Sequence, residues 1–247
     1  MSAPLFLVGE GTLDDVTVGD SVRLDGPEGR HAATVTRLAV GEAILLADGT
    51  GARVAGRVSM SGRDVLEVTV EEVTREPAPE PRFTLVQALA KGDRDLLAIE
   101  MATELGVDEL VPWSAARSVV VWRGERAAKS RAKWVRTVLA ASKQARRARV
   151  PEVAPLADGG ALRERVARAE VALVLHEEAS EPLAGVQLPT TGEVLLIVGP
   201  EGGITAEETA GLVEAGARVV RLGDTVLRTS SAGPAAIALL SGRSRWA

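Results

Sequence analysis

The chain has 247 residues, 46% hydrophobic and 26% charged, with no cysteine, two histidines (His31 and His176) and a formal net charge of −5. That composition excludes wholesale disorder, collagen-like or coiled-coil repeats, disulfides, thiolate metal sites and a histidine-rich metal centre. No apolar run approaches the roughly 20 residues that span a bilayer, and MSAPLFLVGEGTLDD lacks the basic start and long apolar stretch of a signal peptide, so a soluble cytoplasmic protein is expected.

Residues 1–75 read as short strands with turn punctuation. LADGTGARVAGRVSM sets two apolar runs around Asp48-Gly49 and Gly51, a hairpin signal, and VLEVTVEEV alternates as a strand does. No long helical period appears, so a small β-barrel is expected. Residues 76–82, EPAPEPR, place prolines at alternate positions and predict a short, semi-rigid linker. From Phe83 onward strands and helices alternate: FTLVQAL and DELVPW as strands, and DRDLLAIEMATELG as an amphipathic helix closed by Gly106. A long basic helix ending before Pro151 and a helix over residues 158–168 come next. The strands EVALVLH and EVLLIVG, the helix TAEETAGLVEAG, the strand ARVVRLG and a last helix from about Ser231 complete the pattern. This alternation predicts an α/β domain over residues 83–247 with a mostly parallel sheet.

The charge is segregated. Between Arg117 and Arg149 stand eleven basic residues and one acid, Glu125, so this stretch carries +10 and the remainder −15. Such asymmetry fits a phosphate-backbone partner, or else a solvated helix face. Trp113, Trp122 and Trp134 lie in or near the stretch and offer stacking surfaces for bases. The helical spacing of Trp134, Val138 and Ala141 favours a core position for Trp134 instead.

In open parallel sheets, ligands bind beyond the carboxyl ends of the strands, which directs attention to the loops after Val198, Leu222 and Leu175. Gly199-Pro200-Glu201-Gly202-Gly203 follows a strand, and Thr205 with Glu208 has the spacing of a capping box. The loop is open to two readings, a close-approach ligand loop or a plain tight turn, and neither dinucleotide nor P-loop fingerprint is present. Gly26-Pro27-Glu28-Gly29 repeats four of its residues without a strand–loop–helix context and reads as a turn. The second loop, residues 222–231, holds one arginine, Arg228, among small hydroxyl residues, suited to bidentate binding of an anion. The following SAGPAAIALL is apolar on all faces and belongs in the interior or at a subunit interface.

Taken together, GPEGGIT-x-x-E, a strand, LG-x-x-x-LRT and an Ala-rich helix resemble the C-terminus of the SPOUT-class RNA methyltransferases, and in particular the ribosomal RNA small subunit methyltransferase E family. Glu104-Leu105-Gly106-Val107, Pro112, Arg117-Ser118, Gln144, Arg147, Arg149 and Pro151 sit where that family places such residues. His31, Thr34-Val35-Thr36-Arg37 and Asp48-Gly49 look like its PUA-like β-barrel. The resemblance implies a PUA-like RNA-binding barrel over residues 1–75, followed by a SPOUT domain with a C-terminal trefoil knot. It further implies a homodimer formed through the knot region and C-terminal helix, with no membrane partner. The implied reaction is methylation of uridine N3 in 16S (small-subunit) ribosomal RNA, with S-adenosylmethionine as methyl donor and no metal. The implied cofactor residues are Leu175, His176, Gly199, Pro200, Glu201, Gly202, Gly203, Leu222, Gly223 and Leu227. Arg228 is the expected catalytic residue, and Arg117, Gln144, Arg146, Arg147 and Arg149 the expected RNA contacts.

The chain departs from the family pattern at Lys143 and Ser230, where glutamates are common, and at Met101, where lysine is. With two acids missing, Glu201, a water molecule or no base at all are left to take the N3 proton. The competing readings are another SPOUT enzyme acting on ribose 2′-OH or transfer RNA, a non-catalytic RNA-binding assembly factor, and a nucleotide-dependent enzyme using GPEGG as a phosphate cradle.

Overall fold

The computed structural model describes residues 3–246. They fall into two units: the chain through Ala78 together with Ser142–Val150, and Pro79–Ala141 together with the chain from Pro151 onward.

The first unit contains β1 (Leu5–Leu7), β2 (Ser21–Leu24), α1 (Gly26–Arg30), a π-turn (His31–Val35), β3 (Ala43–Ala47), β4 (Ala52–Gly62) and β5 (Val65–Arg75). These strands form one sheet in the order β1-β3-β4-β5-β2. The period of two turns Leu66, Val68 and Val70 of β5 inward, where they pack with Ile44, Leu46 and Val54. The β3–β4 hairpin is fastened by Asp48, whose Oδ1 accepts from the N–H groups of Thr50, Gly51 and Ala52 at 2.8, 3.1 and 3.0 Å.

Two expectations change here. Gly26-Pro27-Glu28-Gly29 is not merely a turn but opens helix α1, with Asp25 at the N-cap and Pro27 in the first turn, where its missing N–H costs nothing. A Cβ on Gly29 would lie 2.5 Å from the Leu24 carbonyl oxygen and 2.7 Å from that of Asp64, so only glycine fits there. Residues 142–150, which sequence alternation assigns to the α/β domain, belong to this unit. Val150 N–H donates to the Gly49 carbonyl at 2.9 Å, and Gly51 N–H donates to that of Ala148 at 3.2 Å.

The second unit begins with β6 (Arg82–Ala88), α2 (Arg94–Glu104), β7 (Glu109–Trp113) and α3 (Glu125–Gln144), whose last three residues belong to the first unit. It continues with β8 (Glu152–Val153), α4 (Gly159–Val166), β9 (Val171–Leu175), β10 (Glu181–Pro182), β11 (Glu193–Val198), α5 (Ala206–Glu214), β12 (Arg218–Arg221) and α6 (Thr229–Ser244). The seven strands run β10-β12-β9-β11-β6-β7-β8, and every pairing among the described residues is parallel. Buried on both faces, β11 reads as an apolar run from Val194 to Val198, as a central parallel strand does, while β6 is equally buried but carries two polar residues, Thr84 and Gln87.

Helix α6 starts two residues earlier than its periodicity suggests, with Arg228 as N-cap. Its apolar surface packs on α2 and β11, and a Cβ on Gly233 would come within 2.8 Å of Leu85. Beyond the far end of α6, Arg245 donates to the Gly106 carbonyl at 2.7 Å, to that of Pro81, and to Asp108 at 2.5 Å, with its guanidinium 4.0 Å from the centre of the Phe83 ring.

At the amino end of the sheet lies a charged cluster. Arg165 of α4 reaches both Glu109 oxygens at 2.7 and 2.5 Å and Glu193 at 2.5 Å, while the Thr84 hydroxyl donates to Glu193 at 2.6 Å.

Candidate functional site

The chain leaves β6 toward β7 on one side and returns through β9, β11 and β12 on the other, so the strand order switches direction between β6 and β11. A crevice is expected at such a switch point. A cavity of about 510 Å³ lies there, and a smaller one of about 60 Å³ shares part of its lining. The larger is walled by Leu175 and His176 after β9, by Gly199, Pro200, Glu201 and Gly203 after β11, and by Leu227 and Arg228 before α6. The smaller adds Leu222 and Gly223 and shares Leu175, His176 and Leu227. Thus nine of the ten residues expected to hold the cofactor line one or other of these two neighbouring cavities. The tenth, Gly202, lines neither, and its carbonyl accepts from Arg117 at 3.0 Å.

The glycine loop is held by its own hydrogen bonds. Thr229 Oγ1 donates to the Gly199 carbonyl at 2.8 Å and accepts from Gln87 Nε2 at 2.9 Å, tying β6, the loop and the start of α6 together. Gly203 N–H donates to the Pro200 carbonyl at 2.9 Å, with Gly203 at φ +74. A Cβ on Gly199 would stand 2.5 Å from Ile204 Cγ1. The capping box forms as its spacing predicts: Thr205 Oγ1 accepts from Glu208 N–H at 3.1 Å and Glu208 Oε2 accepts from Thr205 N–H at 3.0 Å.

This bonding argues against a phosphate cradle. A phosphate loop needs several free N–H groups converging on one point. Here Pro200 has none, that of Gly203 is spent within the loop, and a carboxylate, Glu201, faces the same space.

Glu201 Oε1 accepts from Arg94 at 2.8 Å and from the Lys91 N–H at 3.1 Å. Burial pushes its carboxyl up, but the bonds from its own N–H, from Arg94 and from Lys91 outweigh burial and hold it below the usual carboxylate range. Glu201 is therefore an ionised, paired group and a weak base. Arg228 is exposed at the rim and makes no side-chain hydrogen bond or ion pair among the described residues, so its donors are free for a ligand. His176 Nδ1 accepts from the Glu178 N–H at 3.1 Å, which orients the ring within its turn.

The expected RNA contacts divide. Arg117 is exposed beside the glycine loop, and Gln144 is exposed at the end of α3. Arg149 is turned to the backbone, donating to the Glu76 carbonyl at 2.7 Å and to that of Pro77 at 3.1 Å. Arg146 and Arg147 are half-buried and already partnered. Lys143 pairs with Glu28 at 2.7 Å. Trp113, Trp122 and Trp134 are buried at 1%, 7% and 1% exposure, which removes them as base-stacking surfaces. Ser230 is also buried and lines neither cavity.

Sequence reasoning missed Arg94, Gln87 and Thr229. Arg94 follows the carboxyl end of β6, where the rule that located the other loops also applies; the Gly92-Asp93 turn before it was the available signal. Gln87, a polar residue inside an apolar strand, was a second one.

The size and lining of the cavity suit a nucleoside-sized ligand: a volume within the ordinary range, with Leu175, Val198, Ile204 and Leu227 as apolar wall and a few polar groups between them. Among the described residues no group of three or more His, Asp or Glu could hold a metal ion.

These features define an RNA methyltransferase domain, whose family model matches residues 77–241. Ribosomal RNA small subunit methyltransferase E of Mycobacterium bovis is 44% identical over 251 aligned positions, covering 100% of this chain and 94% of that protein. The chain belongs to the ribosomal RNA small subunit methyltransferase E family. The crystal structure of such an enzyme from Neisseria gonorrhoeae bound to S-adenosylmethionine superposes with a TM-score of 0.85 at 30% identity, covering 98% of each chain. A Legionella pneumophila protein solved in complex with the same cofactor gives 0.82 at 26% identity, covering 99% of each.

Proposed function

We propose that this chain methylates N3 of uridine in 16S (small-subunit) ribosomal RNA, using S-adenosylmethionine bound in the cavity at the switch point. The observation that carries the reading is the convergence of the β9, β11 and pre-α6 loops on one space rimmed by an unpartnered arginine. In this reading residues 1–75 form a PUA-like RNA-binding barrel, 76–82 a linker and 83–247 a knotted SPOUT domain. Two cytoplasmic copies pair through the knot region and α6.

S-adenosylmethionine, when bound, supplies an electrophilic methyl group. Leu175, His176, Gly199–Gly203, Leu222, Gly223 and Leu227 hold and orient it, and the internally bonded loop keeps that geometry without reorganisation. The chain must also ease loss of the N3 proton. Uridine N3 is flanked by two carbonyls, so negative charge spreads onto the ring oxygens as the proton leaves. The Arg228 guanidinium stabilises that charge as oxyanion-hole donors do. Glu201, tied to Arg94 and held at low basicity, keeps Lys91 and Arg94 in place, and the proton leaves to water. Arg117 and Gln144 contact the RNA, with Arg146, Arg147 and Arg149 ordering the segment around them.

The test is nucleoside mass spectrometry of ribosomal RNA from cells with and without the protein. N3-methyluridine is lost in its absence and restored by purified protein with S-adenosylmethionine. Disappearance of a different methylated nucleoside would move the substrate, and no change would overturn the reading. Arg228→Ala is expected to cut turnover about 10²–10³-fold while leaving cofactor affinity within about threefold.

A further inference from the structure

We infer that the outer face of α3 is a rail for the RNA phosphate backbone, formed by Arg126, Lys129, Lys133 and Arg136. The inference rests on the RNA-methylating reading and names a contact surface distinct from the residues that reading assigns. At 3.6 residues per turn these four side chains fall within an arc of about 80° and rise along the axis in steps of about 4.5–6 Å, about 15 Å in all. The opposite face is the buried one: Trp134, Val138 and Ala141 are 1%, 1% and 4% exposed. All four cations are exposed. The side chains of Arg126, Lys129 and Arg136 make no hydrogen bond or ion pair among the described residues. Lys133 pairs only with Asp93, at 2.9 Å between exposed side chains, a bond that yields readily to a phosphate.

The face is selective rather than merely basic in composition. Arg131, on the same helix, projects elsewhere and donates to the carbonyls of Ala154 at 3.1 Å and Val153. Glu125, the one acid on the helix, sits in its first turn, where it complements the helix dipole. The basic stretch also begins at the cavity, since Arg117 bonds Gly202 of the glycine loop and exposed Arg123 follows. The stretch from Arg117 to Arg149 carries +10 while the remainder of the chain carries −15, and on α3 the unpartnered cations of that excess share one face. A polyanion is the occupant that this charge fits.

The experiment compares the full-length protein with Arg126→Gln/Lys129→Gln/Arg136→Gln. A charge-matched control, Arg163→Gln/Arg168→Gln/Arg218→Gln, neutralises exposed cations elsewhere in the same unit. In vitro transcribed small-subunit ribosomal RNA is titrated from 50 to 300 mM salt, alongside S-adenosylmethionine affinity, thermal stability and self-association. The rail variant is expected to bind RNA at least about tenfold more weakly at 150 mM salt and to lose about 2 from the slope of log K against log salt, at roughly 0.7 per phosphate contact. Its cofactor affinity and melting temperature stay unchanged, and the control stays near wild type. Equal losses in rail and control variants, or an unchanged slope, would overturn the rail, as would loss of self-association with RNA affinity intact. Wild-type methylation of the same RNA is measured in parallel. Methylation unaffected by the rail variant removes the rail alone, whereas rail-dependent binding without any methylation removes the enzymatic reading alone.

Discussion

The two ends of the seven-stranded sheet differ in how completely their polar groups are satisfied. At the amino end, Glu109, Glu193, Thr84 and Arg165 bond one another in a largely buried cluster that leaves only Arg165 Nε over. At the carboxyl end, Arg228 has no side-chain partner and the glycine loop keeps a cavity open. A group that is already satisfied contributes to stability, and one left unsatisfied beside a cavity is available for a ligand. Substitutions at the two ends should therefore separate into effects on melting and effects on binding.

The largest effect is expected from Arg165→Ala, which leaves Glu109 and Glu193 with the more distant Arg82, at 3.5 and 3.4 Å, as their remaining cation and should cost about 3 kcal/mol, read by chemical denaturation. The folded fraction should keep its cofactor affinity; a binding loss exceeding the stability loss would erase the contrast. The same cluster gives a pH signature. Burial pushes the Glu193 carboxyl up, but Arg165 and Thr84 outweigh it and hold it below its usual value. Its contribution is thus fully present above the ordinary carboxylate range and is lost as pH falls through the depressed value. At the other end, Gly199→Ala forces a Cβ to within 2.5 Å of Ile204 and should weaken S-adenosylmethionine binding about tenfold in calorimetry, beyond an overpacking cost of about 1 kcal/mol in stability. Thr205→Ala removes half of the capping box and should cost about 1 kcal/mol, with cofactor affinity nearly preserved.

The smallest effect concerns Asp95, which accepts from the Trp134 indole at 3.3 Å. Burial raises its carboxyl above 3.8, against bonds from Leu96 and Trp134. Between 3.8 and that raised value the folded state holds more protons than the unfolded one, so stability falls as pH rises through the window. Asp95→Asn should flatten this slope in thermal melts taken upward from pH 3.8.

Periodicity located the strands and helices of the second unit because parallel strands and amphipathic helices carry strong local signals. Thr205 with Glu208 even marked the start of α5. Less was legible where tertiary partners decide. Arg149 and Arg126 look alike in the sequence, yet one is consumed by the carbonyls of residues 76 and 77 and the other faces water. No local pattern distinguishes them, because the difference lies in which backbone comes to meet each guanidinium. The glycine loop pointed to the cavity, since glycine between strand and helix is a local signal. Arg94 did not, because its relevance depends on β6 lying beside β11.

Helix α6 is fastened at both extremities, by the Thr229 hydroxyl to the glycine loop and by Arg245 beyond its last turn. Its 16 residues span about 24 Å and act as a strut with Arg228 at the tip. The aim of that guanidinium is thereby referred to an anchor on the opposite side of the domain. Loosening Arg245 would alter the angle at which Arg228 meets its target without changing a single residue of the cavity. Under the role proposed for Arg228, kinetic defects can accordingly originate a full helix length from the cavity.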